Sequence, residues 1–147
     1  AGSAHIYGVT VNLAANISKR LGITQTFTIM DGEEIETKNP LRHVPPAFGK
    51  TGLRYRYKKV NAELFSLYNT WRHKDDLAPE ELAKSNLYTS NGTPAWATLN
   101  LRTSYKFNQY ISANFSVENI LDKHYRPYSS GISAPGRNFI FSLRAMI

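Results

Sequence analysis

Seven stretches of this chain alternate apolar and polar residues with a period of two, and no other feature of the sequence restricts the fold as much. In "AHIYGVTVNLAANI" one face carries Tyr7, Val9, Val11, Leu13, Ala15 and Ile17, with Gly8, Thr10, Asn12, Ala14 and Asn16 opposite. "LGITQTFTIM", "KTGLRYRYK", "AWATLNLRTSYKF" and "YISANFSVEN" repeat the pattern, and the closing "PGRNFIFSLRAMI" aligns Phe139, Phe141, Leu143, Ala145 and Ile147. "AELFSLYNTWRH" is ambiguous: Ala62, Leu64 and Tyr68 compete with Phe65, Leu67 and Trp71 for the apolar face, leaving a bulge or burial on both sides open. Successive side chains of a strand point to opposite faces, so the chain reads as all-β with one apolar sheet face.

The connections determine how such strands join. Those after the first, third and fifth stretches are tight ("SKR", "KVN", "NQ") and predict hairpins. Those after the second, fourth and sixth are long: "DGEEIETKNPLRHVPPAFG", "KDDLAPEELAKSNLYTSNGTP" and "ILDKHYRPYSSGISAPG". The expected topology is one antiparallel meander in sequence order, with every long loop at the same end. Loops of this length are usually functional, and short turns opposite long loops are the layout of outer-membrane barrels. Within the loops, "DGEEIE" is expected to turn at Asp31-Gly32. "DDLAPEEL" reads as a short exposed helix with Pro79 in its first turn.

Mean hydropathy is −0.40, and no apolar run approaches the roughly 20 residues of a membrane helix, which excludes a helical membrane protein. A membrane protein built from alternating strands stays open. The polar face carries Arg54, Arg56, Arg102, Lys106 and Glu118 among Thr, Asn and Ser. Unpartnered groups of that kind are costly in a packed core, so this face meets water while the apolar face meets lipid or a second sheet. Tyr57, Tyr105, Phe107 and Tyr110 lie beside the short turns, with Trp71, Trp96 and Tyr125 towards the loops, where two aromatic girdles would sit.

The formal net charge of +7 admits nucleic acid, anionic lipid or an anionic ligand, or a simple solvated surplus. "RYRYKK" interleaves bases with aromatics, but strand register sends Arg and Tyr to opposite faces, which disfavours a nucleic-acid groove. The chain has no Cys, hence neither a disulfide framework nor a thiolate site. His5, His43, His73 and His124 are scattered without metal-ligand spacing. Asp75, Asp76, Glu80 and Glu81 lack the pattern of a calcium loop. No GxSxG elbow or phosphate cradle is present. Arg126 and Arg137 either contact an anionic ligand or pair with loop carboxylates, and pairing is the favoured reading. The reading is therefore a protein without catalytic residues, resident metal or cofactor.

"VENILDKHYRPYSSGISAPGRNFIFSLRAMI" resembles the C-terminal end of a TonB-dependent outer-membrane receptor, with its "ENILD" step, a Tyr and Arg, a loop, and "PGR" leading into the last strand. "NPLRHVPPAFGKTGLRY" resembles that family's "PL..IPP" step between two strands, and "GTPAWATLNLRTSYKF" its usual antepenultimate strand. The resemblance implies that residues 1–147 are the C-terminal part of a plugged barrel of about 22 strands, with the plug, the TonB-coupling segment and the earlier strands outside this sequence. One departure is Ile147, where the family usually ends on an aromatic residue.

It further implies a receptor in the outer membrane of a Gram-negative cell, taking up a scarce solute (an iron chelate, haem, cobalamin or a glycan) with energy coupled through TonB. The implied partners are outer-membrane lipid, the rest of the receptor, TonB and a small-molecule or chelate ligand. Candidate ligand contacts in the extracellular loops are His73, Tyr88, Trp96, His124, Tyr125, Arg126 and Tyr128, and candidate lipid-facing residues are Leu99, Leu101, Phe115, Phe139, Phe141, Leu143 and Ile147. The rival reading is a small soluble or membrane β-barrel acting as a binding module.

Overall fold

The computed structural model describes residues 2–84 and 86–146. Its strands are β1 (Ala4–Asn16), β2 (Leu21–Glu34), β3 (Phe48–Tyr57), β4 (Val60–Asn69), β5 (Arg72–His73), β6 (Gly92–Thr93), β7 (Trp96–Lys106), β8 (Ile111–Glu118) and β9 (Asn138–Ala145). A 3₁₀ turn (Lys74–Asp76) and a one-turn helix α1 (Pro79–Leu82) lie between β5 and β6. Seven strands form one sheet in the order β1-β2-β3-β4-β7-β8-β9, while β5 and β6 pair with each other inside a loop. The expected meander is therefore present, every long strand pairing antiparallel with its sequence neighbour.

Each tight turn has a local chemical cause. Ser18 Oγ accepts from the backbone N–H groups of Arg20 (3.2 Å) and Leu21 (3.1 Å), and Asn108 Oδ1 accepts from those of Tyr110 and Ile111, both at 2.8 Å. Such short polar side chains mimic a backbone turn. In the middle hairpin Lys58 takes the left-handed conformation (φ 50°), and pairing resumes at once with Tyr57 opposite Val60.

Register fixes the two faces. Val11 opposes Phe27, Ile23 opposes Leu53, Leu53 opposes Leu64, Leu64 opposes Leu101, Leu101 opposes Val117, and Phe115 opposes Phe141. This apolar face is open to the surroundings: Phe139, Phe141 and Leu143 are each more than 60% exposed. Polar side chains interrupt it, among them a cluster in which Gln25 hydrogen-bonds both Thr51 Oγ1 and the Tyr68 hydroxyl, and Thr103, whose hydroxyl donates to the Phe115 carbonyl. The opposite face holds Arg54 and Arg56, so the arginines and tyrosines of "RYRYKK" do point apart.

Register also resolves the ambiguous β4. Pairing is continuous through Val60–Asn69 with no bulge, placing Ala62, Leu64 and Tyr68 on the apolar face. Phe65 lies on the polar face yet is buried, with Lys50 Nζ 4.3 Å and Arg102 Cζ 5.6 Å from its ring centre.

Three expectations need correction. β2 does not turn at Asp31-Gly32: it continues to Glu34 because Ala4–Tyr7 of β1 supply partners as far as Ala4 opposite Glu34. The turn comes later, where Lys38 (φ 61°) donates its N–H to the Glu34 carbonyl. Helix α1 does begin at Pro79, and Pro79, Glu80 and Leu82 are exposed as expected, but Glu81 is buried at 1%, as are Leu77 and Ala78 just before the helix. Trp96 lies on the polar face, opposite Asn69, and stacks on Tyr125 there, so neither joins an aromatic girdle on the apolar side. The girdle at the short turns fares better: Tyr105 and Phe107 meet edge to face at 4.9 Å, and both are exposed. Ile147 lies outside the described residues.

Candidate functional site

The functional candidates concentrate at the long-loop end, and the loops there are fastened at defined points. Asn119, with φ 50°, ends β8 and grips the last loop. Its amide donates to the Lys123 and Pro135 carbonyls (2.9 and 3.3 Å), and its Oδ1 accepts from the Lys123 N–H at 2.9 Å. Its own N–H donates to Asn100 Oδ1 of β7 at 2.9 Å. Asp122 Oδ1 accepts from the Arg137 N–H at 2.8 Å, and Arg137 Nε donates to the Ile120 carbonyl at 2.8 Å. A side chain at position 136 would begin 2.6 Å from Asp122 Oδ1, so any residue but glycine there would push the Asp122 carboxylate aside. "ENILD" and "PGR" are thus the two halves of one clasp.

Glu81 fastens the three long loops to one another. Its Oε1 accepts from the Tyr88 hydroxyl at 2.6 Å and from the His43 N–H at 3.1 Å, while its Oε2 accepts from the Ala78 N–H at 3.4 Å. The Tyr128 hydroxyl lies 3.3 Å from both oxygens, and His43 Nδ1, itself 3.0 Å from Ser129 Oγ, lies 3.8 Å from Oε1. Burial alone would raise the Glu81 carboxyl, but the hydrogen bonds from Tyr88, His43, Ala78 and Tyr128 outweigh it and hold the group below its ordinary value. Burial, reinforced by the Glu81 charge, pushes the Tyr128 hydroxyl well above the usual tyrosine value.

Beside this node lies a cavity of about 420 Å³ between the β6–β7 segment and the last loop. It brings together five of the seven ligand candidates: Tyr88, Trp96, His124, Tyr125 and Arg126. Trp96 and Tyr125 stack with ring centres 4.3 Å apart. Tyr128 belongs instead to the Glu81 node, and His73 sits apart in β5 beside Trp71 (5.8 Å between rings). The sequence reading missed Thr93 and Lys123, which also line the cavity, although both stand within the stretches that carry the family resemblance. Arg126 and Arg137 do not pair with carboxylate side chains as expected among the described residues: Arg126 Nη1 donates to the Asn86 carbonyl at 2.8 Å, and the Arg137 guanidinium bonds the Ile120 carbonyl. Backbone carbonyls left over at the loop bases are nearer acceptors than any acid.

The family described as TonB dependent receptor-like, beta-barrel matches residues 1–120 of the chain. The chain belongs to that family. Among curated proteins nothing matches it. Solved structures of similar fold include the copper transporter OprC (TM-score 0.82, 15% identity, covering 98% of this chain and 24% of that one). The ferric citrate transporter FecA in its unliganded form is also similar (0.73, 18%, covering 97% and 24%), as is the ferric yersiniabactin uptake receptor FyuA from Yersinia pestis (0.69, 15%, covering 99% and 24%). This chain thus spans about a quarter of each of these proteins and forms part of a TonB-dependent receptor barrel wall.

The polar face of the sheet is basic: Lys50 is held by Glu63 at 2.6 Å, whereas Arg54, Arg56 and Arg102 have no ion-pair partner among the described residues. TonB-dependent receptors are outer-membrane proteins that engage membrane, plug, TonB and ligand; in this chain the cavity stands at the long-loop end of the sheet.

Proposed function

We propose that the chain supplies the last seven strands of an outer-membrane receptor that binds a scarce solute at its long loops and passes it inward with TonB-coupled energy. The observation that carries this reading is the cavity walled by stacked Trp96 and Tyr125, set among fastened loops at one end of a TonB-dependent receptor barrel wall. The similar structures are named for copper, ferric citrate and ferric yersiniabactin, which favours a metal or a ferric chelate over cobalamin or a glycan. No chemistry is done on the solute.

In this reading Leu99, Leu101, Phe115, Phe139, Phe141 and Leu143 face lipid. The unpaired arginines of the inner wall face the plug, and TonB engages a segment upstream of residue 1. The test is to express the complete receptor in a Gram-negative host lacking its own uptake receptors, with and without TonB. Growth on a panel of ferric chelates, haem and copper complexes is then measured, with fractionation of the envelope. Uptake that requires both the receptor and TonB supports the function; fractionation away from the outer membrane, or uptake indifferent to TonB, overturns it.

A further inference from the structure

The charges of this chain are sorted along its strands. Of its acidic residues only Glu63 lies in the half of the sheet next to the short turns, and there it holds Lys50 at 2.6 Å. The short turns carry Lys19, Arg20, Lys58 and Lys59, with Lys106 at the end of β7, and all five are exposed. None of the five is in an ion pair among the described residues. Three of them are nevertheless held in place. Arg20 Cζ of the first turn lies 4.2 Å from the centre of the Tyr57 ring, and Lys58 Nζ of the second lies 5.3 Å from the same ring. Lys59 Nζ donates to the Phe107 carbonyl, beside the third turn, at 2.6 Å. Tyr57 opposes Val60, which opposes Tyr105, so both tyrosines stand in one row across the turn-side margin of the apolar face. Aromatic rings at such a margin sit at headgroup depth in a membrane. A cation drawn to the face of a ring still has N–H groups to donate to a phosphate.

We infer that this margin binds an anionic diacyl phospholipid, whose phosphate is taken by Arg20 and Lys58 beside Tyr57, with Lys59 alongside, while its acyl chains lie along the apolar face. This rests on the reading that the apolar face meets lipid, and it adds which lipid and where. Selectivity follows from the lack of acid. A zwitterionic headgroup brings an ammonium or choline cation for which the turns offer no carboxylate, whereas a net negative headgroup brings only what the cations can take. A free phosphate would use the cations and leave the apolar face bare. Arg20 also borders a cleft lined by Arg54 and Arg56 of the polar face, so it stands on the rim between the two faces. Lys58 and Lys59 occupy the turn itself, where a membrane surface reaches them first.

The test uses the complete receptor in uncharged detergent, with 3-fluorotyrosine placed at position 57 and followed by fluorine NMR. Short-chain phosphatidylglycerol, short-chain phosphatidylcholine, glycerol phosphate and an oligoglutamate peptide are titrated in turn. Phosphatidylglycerol should shift the signal saturably and bind at least about tenfold tighter than the other three. Arg20→Gln and Lys58→Gln should each weaken it about fivefold, whereas Lys74→Gln at the far end of the sheet should leave it unchanged. Heat-modifiable gel mobility confirms that each variant is a folded barrel. Equal binding of phosphatidylglycerol and phosphatidylcholine overturns the proposal. So does glycerol phosphate bound as tightly, which would make this a plain anion site, or oligoglutamate bound more tightly, which would give the turns to an acidic protein. A phosphatidylcholine with a nitroxide on its acyl chain separates the site from the reading beneath it. Broadening of a 3-fluorotyrosine signal at position 105, with no headgroup preference at 57, keeps the apolar face in lipid and defeats the site; no broadening at 105 defeats both.

Discussion

Glu81 concentrates more interactions than any other residue of the loop end, and its replacement should be felt across all three loops. In Glu81→Gln the amide nitrogen must face a donor, either the Ala78 or the His43 N–H, which the carboxylate now accepts. Losing a charged acceptor under buried donors costs on the order of 2–3 kcal/mol. In the complete receptor this should appear as faster hydrogen exchange at His43 and Ala78 and quicker proteolysis of the loop that carries α1. Because the folded carboxyl sits below its ordinary value, its stabilisation is intact above that ordinary value and disappears as pH falls through the depressed one. The loops should therefore loosen in acid and not around neutrality, and Glu81→Gln should show no such transition; an unchanged acid profile in the variant would remove Glu81 from the account. None of this was legible in "PEEL", which reads as a solvated helix, because the groups that bury Glu81 come from His43 and Tyr128, 38 and 47 residues away. Pairing of that kind leaves no trace in local pattern.

Strands and turns were legible almost in full, because a period of two and the turn chemistry of Ser18 and Asn108 are local properties. Where strand ends depend on a distant partner, as β2 depends on Ala4–Tyr7, the sequence misplaces them. The face assignment can be tested on β7. Leu101→Arg on the apolar face should cost roughly 2–4 kcal/mol near mid-bilayer, while Ser104→Arg on the opposite face should be mild. Both are read from denaturant titration of the complete receptor in lipid vesicles, and equal costs would argue against lipid on the Leu101 side. Thr98, on the same face as Ser104, makes a poor control because it is 3% exposed and accepts from Asn100. For the clasp between β8 and β9, Asn119→Ala removes both side-chain bonds to Lys123 as well as that to Pro135. It should cost about 2–4 kcal/mol of local stability, visible as hydrogen exchange spreading through residues 120–136, with β8 and β9 themselves still protected.

As a whole the chain is a wall with two open edges, β1 and β9, and an apolar face in which Val11, Leu13, Leu53, Phe141 and Leu143 are each more than 40% exposed. Burying a side chain of this kind is worth roughly 1.5–3 kcal/mol, so a handful left wet rivals the ~5–15 kcal/mol stability of an ordinary domain. The 147-residue chain purified without detergent should aggregate by edge pairing; a monodisperse monomer with a cooperative melt by near-UV circular dichroism would instead favour the soluble binding module. The Glu81 node also puts the loops on a clock. Its donors come from the loops after β2, β4 and β8, so it is complete only once the last of these, which in the proposed receptor lies outside the cell, has reached the other two. Until then the first two loops are held only to each other, through the His43 N–H on Glu81. A pulse of protease outside the cell during barrel insertion should cut them early and spare them late, with the change timed to the arrival of Tyr128.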